Sequence, residues 1–183
     1  MKKFKKFIIL VFAANMMFLN TLQAKSNIST SGDIIQILLP SIALGTTLIV
    51  EDDYEGTTQF VKSFGSTFGT TLALKYTISE KRPTGNNRDS FPSGHTSAAF
   101  SGASFIQMRY GWEYGVPAYL AAAYVGWSRI ETDKHFTHDV LAGAAIGIGF
   151  SYLFTSKYKT KNDLQITPMI SNNNYGLKLS WKF

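Results

Sequence analysis

PSGHTSAAFSGASFIQMR, residues 92–109, opens with the signature of a helix start. Ser93 can offer its hydroxyl to a free amide of the first turn, as N-cap residues do. The run behind it is rich in Ala, Ser and Gly rather than Leu and Ile. Such a sequence predicts a helix over 93–109 that packs closely against its neighbours. Working toward the N-terminus, Pro83, Gly85, Asn86 and Asn87 mark 79–91 as a loop. Before it, 60–78 reads as a helix carrying the small residues Gly65, Ser66, Gly69, Thr70 and Ala73, and 34–50 is an apolar run ending at Glu51-Asp52-Asp53. Residues 25–33 are polar and read as a linker. Toward the C-terminus, helices are predicted over 116–127 and 139–154, with 110–115 and 128–138 as connections. The expectation is an all-α helical bundle.

A helix of 12 residues, as 116–127 would be, reaches only about 18 Å, short of a hydrocarbon core of about 30 Å. Residues 34–50 and 139–154 are apolar enough to be borderline spans. The short helix and the small-residue run of 93–109 favour a compact bundle lying in or against the periplasm, and the borderline spans make a membrane surface an expected partner.

Both ends differ from the middle. Lys2, Lys3, Lys5 and Lys6 precede an apolar run, and Leu22-Gln23-Ala24 supplies a small residue before a cut. That is the layout of a secretory signal peptide over 1–24, with export to the periplasm. Even residues 7–19 would reach only about 20 Å as a helix. At the other end Tyr175, Leu177, Leu179, Trp181 and Phe183 alternate with Gly176, Lys178, Ser180 and Lys182. With the turn-like Asn172-Asn173-Asn174 before them, they predict a short C-terminal β-hairpin over 161–183 that packs on the bundle or pairs with another chain. A bundle domain over 25–160 lies between.

The chain carries 18 Lys+Arg and 12 Asp+Glu, net +6. Residues 1–24 hold four lysines and no acids, so the remainder is 14 minus 12, or +2. The basic balance belongs largely to the export segment and gives no reason to expect nucleic acid as a partner. With no cysteine, disulfides, thiol chemistry and Cys-ligated metals are excluded.

Three clusters place charged and hydroxyl residues near helix ends: Lys75 with Arg82-Pro83, Pro92-Ser93-Gly94-His95, and Ser128-Arg129 with His135 and Asp139. Each alone has an ordinary explanation. A lysine late in a helix suits the macrodipole, and Ser93 or Asp139 suits an N-cap. Together they form a set suited to phosphoryl transfer. Lys75, Arg82 and Arg129 supply three cations for phosphate oxygens. The amides of Ser93, Gly94 and His95 offer an anion site if they open a helix. Asp139, four residues after His135, can fix that histidine's tautomer and leave its other nitrogen free to attack. His95 can serve as acid and then as base. No metal or other cofactor is required by this set.

Lys75-x6-Arg82-Pro83, Pro92-Ser93-Gly94-His95 and Ser128-Arg129-x5-His135-x3-Asp139 resemble the three-part signature of the type 2 phosphatidic acid phosphatase (PAP2) superfamily, which includes vanadium-dependent haloperoxidases and bacterial acid phosphatases. The resemblance implies a helical bundle with its site at one end. It implies catalytic roles for His135 as nucleophile, Asp139 as its orienter and His95 as acid/base, with Lys75, Arg82, Ser93, Gly94 and Arg129 holding phosphate. The expected activity is metal-independent hydrolysis of a phosphomonoester or pyrophosphate, of a lipid, through a phosphohistidine. The alternatives are a soluble-substrate acid phosphatase and a vanadate-dependent haloperoxidase. Only residues 84–91 separate the first two parts, and the N-terminal helices are fewer and shorter than in six-span lipid phosphatases. Lys134 and His138 read as local.

Overall fold

The computed structural model describes residues 24–85, 87–159, 165–171 and 174–180. Apart from Ala24, the expected export segment 1–24 lies outside them, as do Asn172 and Asn173 of the expected turn. Five helices follow in order: α1 (Ala24–Val50), α2 (Glu55–Ile78), α3 (Gly94–Tyr110), α4 (Trp112–Glu131) and α5 (Thr137–Phe154).

Two boundaries differ from expectation for identifiable reasons. Residues 25–33 are the first turns of α1 rather than a linker. Their polar groups have distant partners: Ser31 is buried and its hydroxyl lies 2.7 Å from the Tyr124 hydroxyl. The connection expected over 110–115 is reduced to Gly111, which has a φ of 98° and both ends α3 and precedes α4. A side chain would strain that backbone, which glycine adopts freely. α4 is 20 residues long, not 12, because it takes in 112–115 at this end and 128–131 of the following expected connection, and it contains Pro117.

The central helix is α3, and its serines, alanines and glycines let neighbours approach. Ala99, Ala103 and Phe105 of α3, with Ala43, Ala122 and Val125, form a core that excludes solvent completely. On the other face, hydroxyls bridge α2, α3 and α5. Thr71 donates to Ser97 at 3.0 Å, Ser63 lies 3.0 Å from Ser151, and Ser151 donates to the Ser101 carbonyl at 3.1 Å. α5 reaches α3 through Gly143 and Gly147. A Cβ at Gly143 would stand 2.6 Å from the Ser93 carbonyl oxygen, and one at Gly147 would stand 2.5 Å from that of Ser97 and 2.7 Å from the Ser101 nitrogen. Both obstacles at Gly147 are backbone, so Gly147→Ala must push the helices apart. Overpacking of this kind costs about 1–3 kcal/mol. Thermal unfolding in detergent should show a loss of several degrees, and an unchanged transition would mean the contact is not tight.

At the end of the bundle where α1 finishes, Glu51 and Arg109 form a buried pair. Arg109 Nε and Nη2 donate to Glu51 Oε1 and Oε2 at 2.9 and 2.6 Å. Beyond α5, β1 (Gln165–Ser171) pairs antiparallel with β2 (Asn174–Ser180), Gln165 opposite Ser180. Among the described residues the backbone of this ribbon does not come close to the helices. The fold that positions the site is all-helical.

Candidate active site

The opposite end of the bundle gathers the start of α3, the end of α2, the α4–α5 loop and the first turns of α1. Ser93 caps α3, accepting the Thr96 N–H and the Thr96 hydroxyl at 3.4 and 2.9 Å. Its own amide donates to the Asp139 carbonyl at 3.0 Å. The anion site expected from three amides is therefore reduced to those of Gly94 and His95, which as the first residues of α3 have no intrahelical acceptor. Ser93 is fully buried.

His135 sits in the loop, not on a helix. Lys134 and His135 both donate their amides to the Arg129 carbonyl, at 3.0 and 3.2 Å, which folds the chain back over the end of α4. Between His135 and Asp139, Phe136 caps the start of α5. Asp139 lies in the first turn of α5, and its Oδ2 accepts the Phe136 amide at 2.9 Å and the Ser90 hydroxyl at 2.6 Å. The same oxygen is 3.5 Å from His135 Nδ1. Both residues are buried. Burial, then the charges of Lys75 and Arg82, push the His135 imidazole down to about 4 against the opposing pull of Asp139. A group so depressed is neutral at ordinary pH and keeps a lone pair on its other nitrogen, Nε2.

The cations are held in place by protein partners. Arg82 Nε and Nη2 donate to Asp89 Oδ1 and Oδ2 at 2.9 and 3.0 Å, and Lys75 Nζ donates to the Asp89 carbonyl at 2.5 Å. Partial burial alone would raise Asp89, but the hydrogen bond and charge of Arg82 hold it below the usual carboxylate range. Arg129 is wholly buried, its Nε donating to Ser128 Oγ at 3.1 Å, Nη1 to Asp33 Oδ1 at 2.6 Å and Nη2 to the Ser29 carbonyl at 2.6 Å. Gly32 makes room for it, since a Cβ there would stand 2.3 Å from Arg129 Nη2.

The structure thus brings Lys75, Arg82 and Asp139 within electrostatic reach of His135, and Arg129 within reach of His95. Sequence reasoning missed Asp33, Asp89 and Ser90. Asp33 Oδ1 is 2.9 Å from His95 Nε2 as well as bonded to Arg129. It is the first acidic residue in the chain, standing directly before an apolar run, which is the one signal that could have drawn attention to it. Lys134 donates to Ser29 Oγ at 2.5 Å, and His138 Nε2 lies 2.9 Å from Glu80 Oε1 and 3.2 Å from Asp139 Oδ1. Glu80, His138 and Asp139 are close enough to share a cation; Ser90 and Phe136 engage Asp139 Oδ2 and leave Oδ1 beside His138.

An apolar cavity of about 670 Å³ opens beside the site between α1, α2 and α3. It runs from Lys75 and Gly94 past Phe68 and Phe64 to Leu44. Ile37 and Val61 of its lining are exposed, and outside it Leu48, Leu120, Leu141 and Leu153 are exposed on α1, α4 and α5. Asn27–Val50 of α1 is long and apolar enough to cross a membrane.

Comparison with known proteins bears on this arrangement. A family model described as the PAP2 superfamily matches residues 58–163, more than half the chain. The lipid A 4'-phosphatase of Helicobacter pylori is 33% identical over 168 residues, 83% of each chain. The lipid A 1-phosphatase of Porphyromonas gingivalis is 33% identical over 129 residues, 58% of this chain and 29% of that one. Among solved structures, LpxE of Aquifex aeolicus superposes with a TM-score of 0.60 at 21% identity, covering 78% of this chain and 92% of that one. A transmembrane PAP2-type phosphatidylglycerolphosphate phosphatase from Bacillus subtilis gives 0.56 at 23% identity, covering 78% and 81%. These two likenesses concern the fold.

Proposed function

The chain belongs to the PAP2 superfamily and is a phosphoric ester hydrolase, and from that premise we propose that it removes phosphate from a lipid through a phosphohistidine on His135. The observation that carries this reading is a buried, neutral His135 paired with Asp139 at one end of the bundle, beside an apolar cavity that starts at Lys75 and Gly94. His135 Nε2 attacks phosphorus, and the bond to the leaving oxygen breaks as His95 protonates it. Water then loses a proton to His95, its oxygen bonds to phosphorus, the P–N bond breaks and inorganic phosphate departs. Lys75, Arg82 and Arg129, with the amides of Gly94 and His95, stabilise the oxygens of the five-coordinate state. Ser93 contributes by fixing where α3 begins.

The substrate class is a membrane lipid carrying a phosphomonoester or pyrophosphate, with a lipid A type glycolipid favoured by the two relatives. A hydrocarbon tail matches the lining of the cavity, and the exposed apolar side chains suit a bundle seated at a membrane. Export directed by residues 1–24, a catalytic bundle over 25–160 and an appended C-terminal hairpin complete the proposed organisation. No metal takes part in these steps.

The test is phosphate release from lipid A, phosphatidic acid, phosphatidylglycerophosphate, undecaprenyl pyrophosphate and soluble sugar phosphates. A lipid should be turned over at least about tenfold faster than the soluble esters, with competitive inhibition by vanadate and no loss in EDTA. Preference for soluble esters would overturn the lipid reading. Inactivation by EDTA that added divalent metal reverses would overturn the metal-free scheme.

A further inference from the structure

We propose that Asp33, on α1 and outside the three-part signature, is a positioning residue that favours the protonated form of the general acid His95 and directs its Nδ1 toward the leaving oxygen. The proposal rests on the phosphohistidine reading above. It starts from geometry: one carboxylate oxygen, Asp33 Oδ1, lies 2.9 Å from His95 Nε2 and 2.6 Å from Arg129 Nη1. With Nε2 engaged, Nδ1 is the nitrogen of His95 left to face the leaving group. The site then holds two histidine–aspartate pairs of opposite sense. Asp139 stands by Nδ1 of His135 and leaves Nε2 to attack, whereas Asp33 holds Nε2 of His95 and leaves Nδ1 to deliver a proton.

A carboxylate beside a phosphate site needs an explanation, because its charge opposes a phosphate dianion. Here it is offset by Arg129, with Lys134 Nζ at 4.0 Å. Its effect on His95 has no such substitute. Arg129 on α4 and Lys134 in the following loop both disfavour a charged His95, and Lys75 on α2 approaches the adjacent Gly94. Asp33 on α1 opposes them. Burial and Arg129 hold His95 below its ordinary value, and without Asp33 it would fall further. An acid that has lost its proton at working pH cannot protonate an alkoxide.

In the two half-reactions the proton balance closes. The His95 imidazolium gives its Nδ1 proton to the leaving oxygen as the P–O bond breaks and the bond to His135 forms. Neutral His95 then takes a proton from the attacking water as the P–N bond breaks. Asp33 stays ionised throughout.

The experiment compares the full chain with Asp33→Asn and Asp33→Glu in detergent, using rapid-quench first turnovers. The substrates are an alkyl phosphate lipid, whose leaving oxygen needs a proton, and p-nitrophenyl phosphate, whose leaving group does not. Asp33→Asn should slow the lipid about 10–100-fold and p-nitrophenyl phosphate less than about threefold. The basic limb of kcat/KM should move about one pH unit lower, since loss of the carboxylate makes His95 deprotonate earlier. Asp33→Glu should restore most of both. The chain has three histidines, so NMR titration can follow His95 directly, and its midpoint should drop in Asp33→Asn. Equal losses on both substrates, or an unmoved His95 midpoint, would overturn the positioning role. Absence of an acid-labile phosphoryl-enzyme in quenched wild type would instead overturn the phosphohistidine reading.

Discussion

His135→Ala lowers kcat by at least about four orders of magnitude while the unfolding temperature moves by no more than a few degrees. The loss is large because alanine removes the atom that accepts the phosphoryl group, and oriented cations alone recover little of such a rate. The fold survives because the loop is held by its backbone: the amides of residues 134 and 135 still donate to the Arg129 carbonyl. Asp139 still receives the Ser90 hydroxyl and the Phe136 amide. The same reasoning marks Asp139→Ala as a poor test, since it would strand Ser90 and uncap α5 along with the histidine. In the wild type, the depressed His135 also sets the acid limb of kcat/KM. A lowered value means that the cationic, non-nucleophilic form appears only below about 4, so activity should persist well under the ordinary histidine midpoint. Residual turnover within tenfold of wild type in His135→Ala would remove it from the nucleophile's role.

How much of this was legible in the sequence depends on where each residue's partners lie. His135 and Asp139 stand out in the sequence because they lie four residues apart, and Pro92-Ser93-Gly94-His95 because helix starts are local signals. The first turns of α1 do not. Ser29, Ser31 and Asp33 look like a solvated linker until Tyr124, Arg129 and Lys134 are brought against them from about a hundred residues away. Propensity is a weak prior that such tertiary contacts override. The length of α4 was hidden for a different reason. Gly115 looks like a breaker, but it packs where a Cβ would stand 2.5 Å from Gln107 Cβ. The cap at Ser93 was legible because it is local, whereas the use of its amide by the Asp139 carbonyl was not.

Arg109 shows the same blindness with the largest consequence for stability. At the end of α3 it looks like an ordinary favourable charge, yet it is buried, and the bundle is tied together around it at the end remote from the site. Glu51, which it binds through two hydrogen bonds, also accepts the Tyr110 hydroxyl at 2.7 Å and the Gly56 amide at 3.1 Å. Arg109 Nη1 reaches the Ser156 carbonyl at 3.0 Å, and its guanidinium carbon stands 5.4 Å from the centre of the Tyr158 ring. One ion pair thereby joins the end of α1, the start of α2, the end of α3 and the segment after α5. Arg109→Met keeps much of the volume but leaves Glu51 charged without its cation. Breaking a buried pair from one side costs about 3–5 kcal/mol. For a chain of this size that lowers the unfolding temperature by roughly 10 °C or more. The double variant Arg109→Met with Glu51→Gln should recover part of the loss, because the stranded charge, rather than the missing attraction, accounts for most of it. Specific activity of the folded fraction should stay within about twofold of wild type in both, since His95, His135 and Asp33 lie at the other end of the helices. An unfolding temperature unchanged in Arg109→Met would mean that the pair contributes nothing, and a double variant worse than the single would mean that Glu51 matters through Tyr110 and Gly56 rather than through its charge.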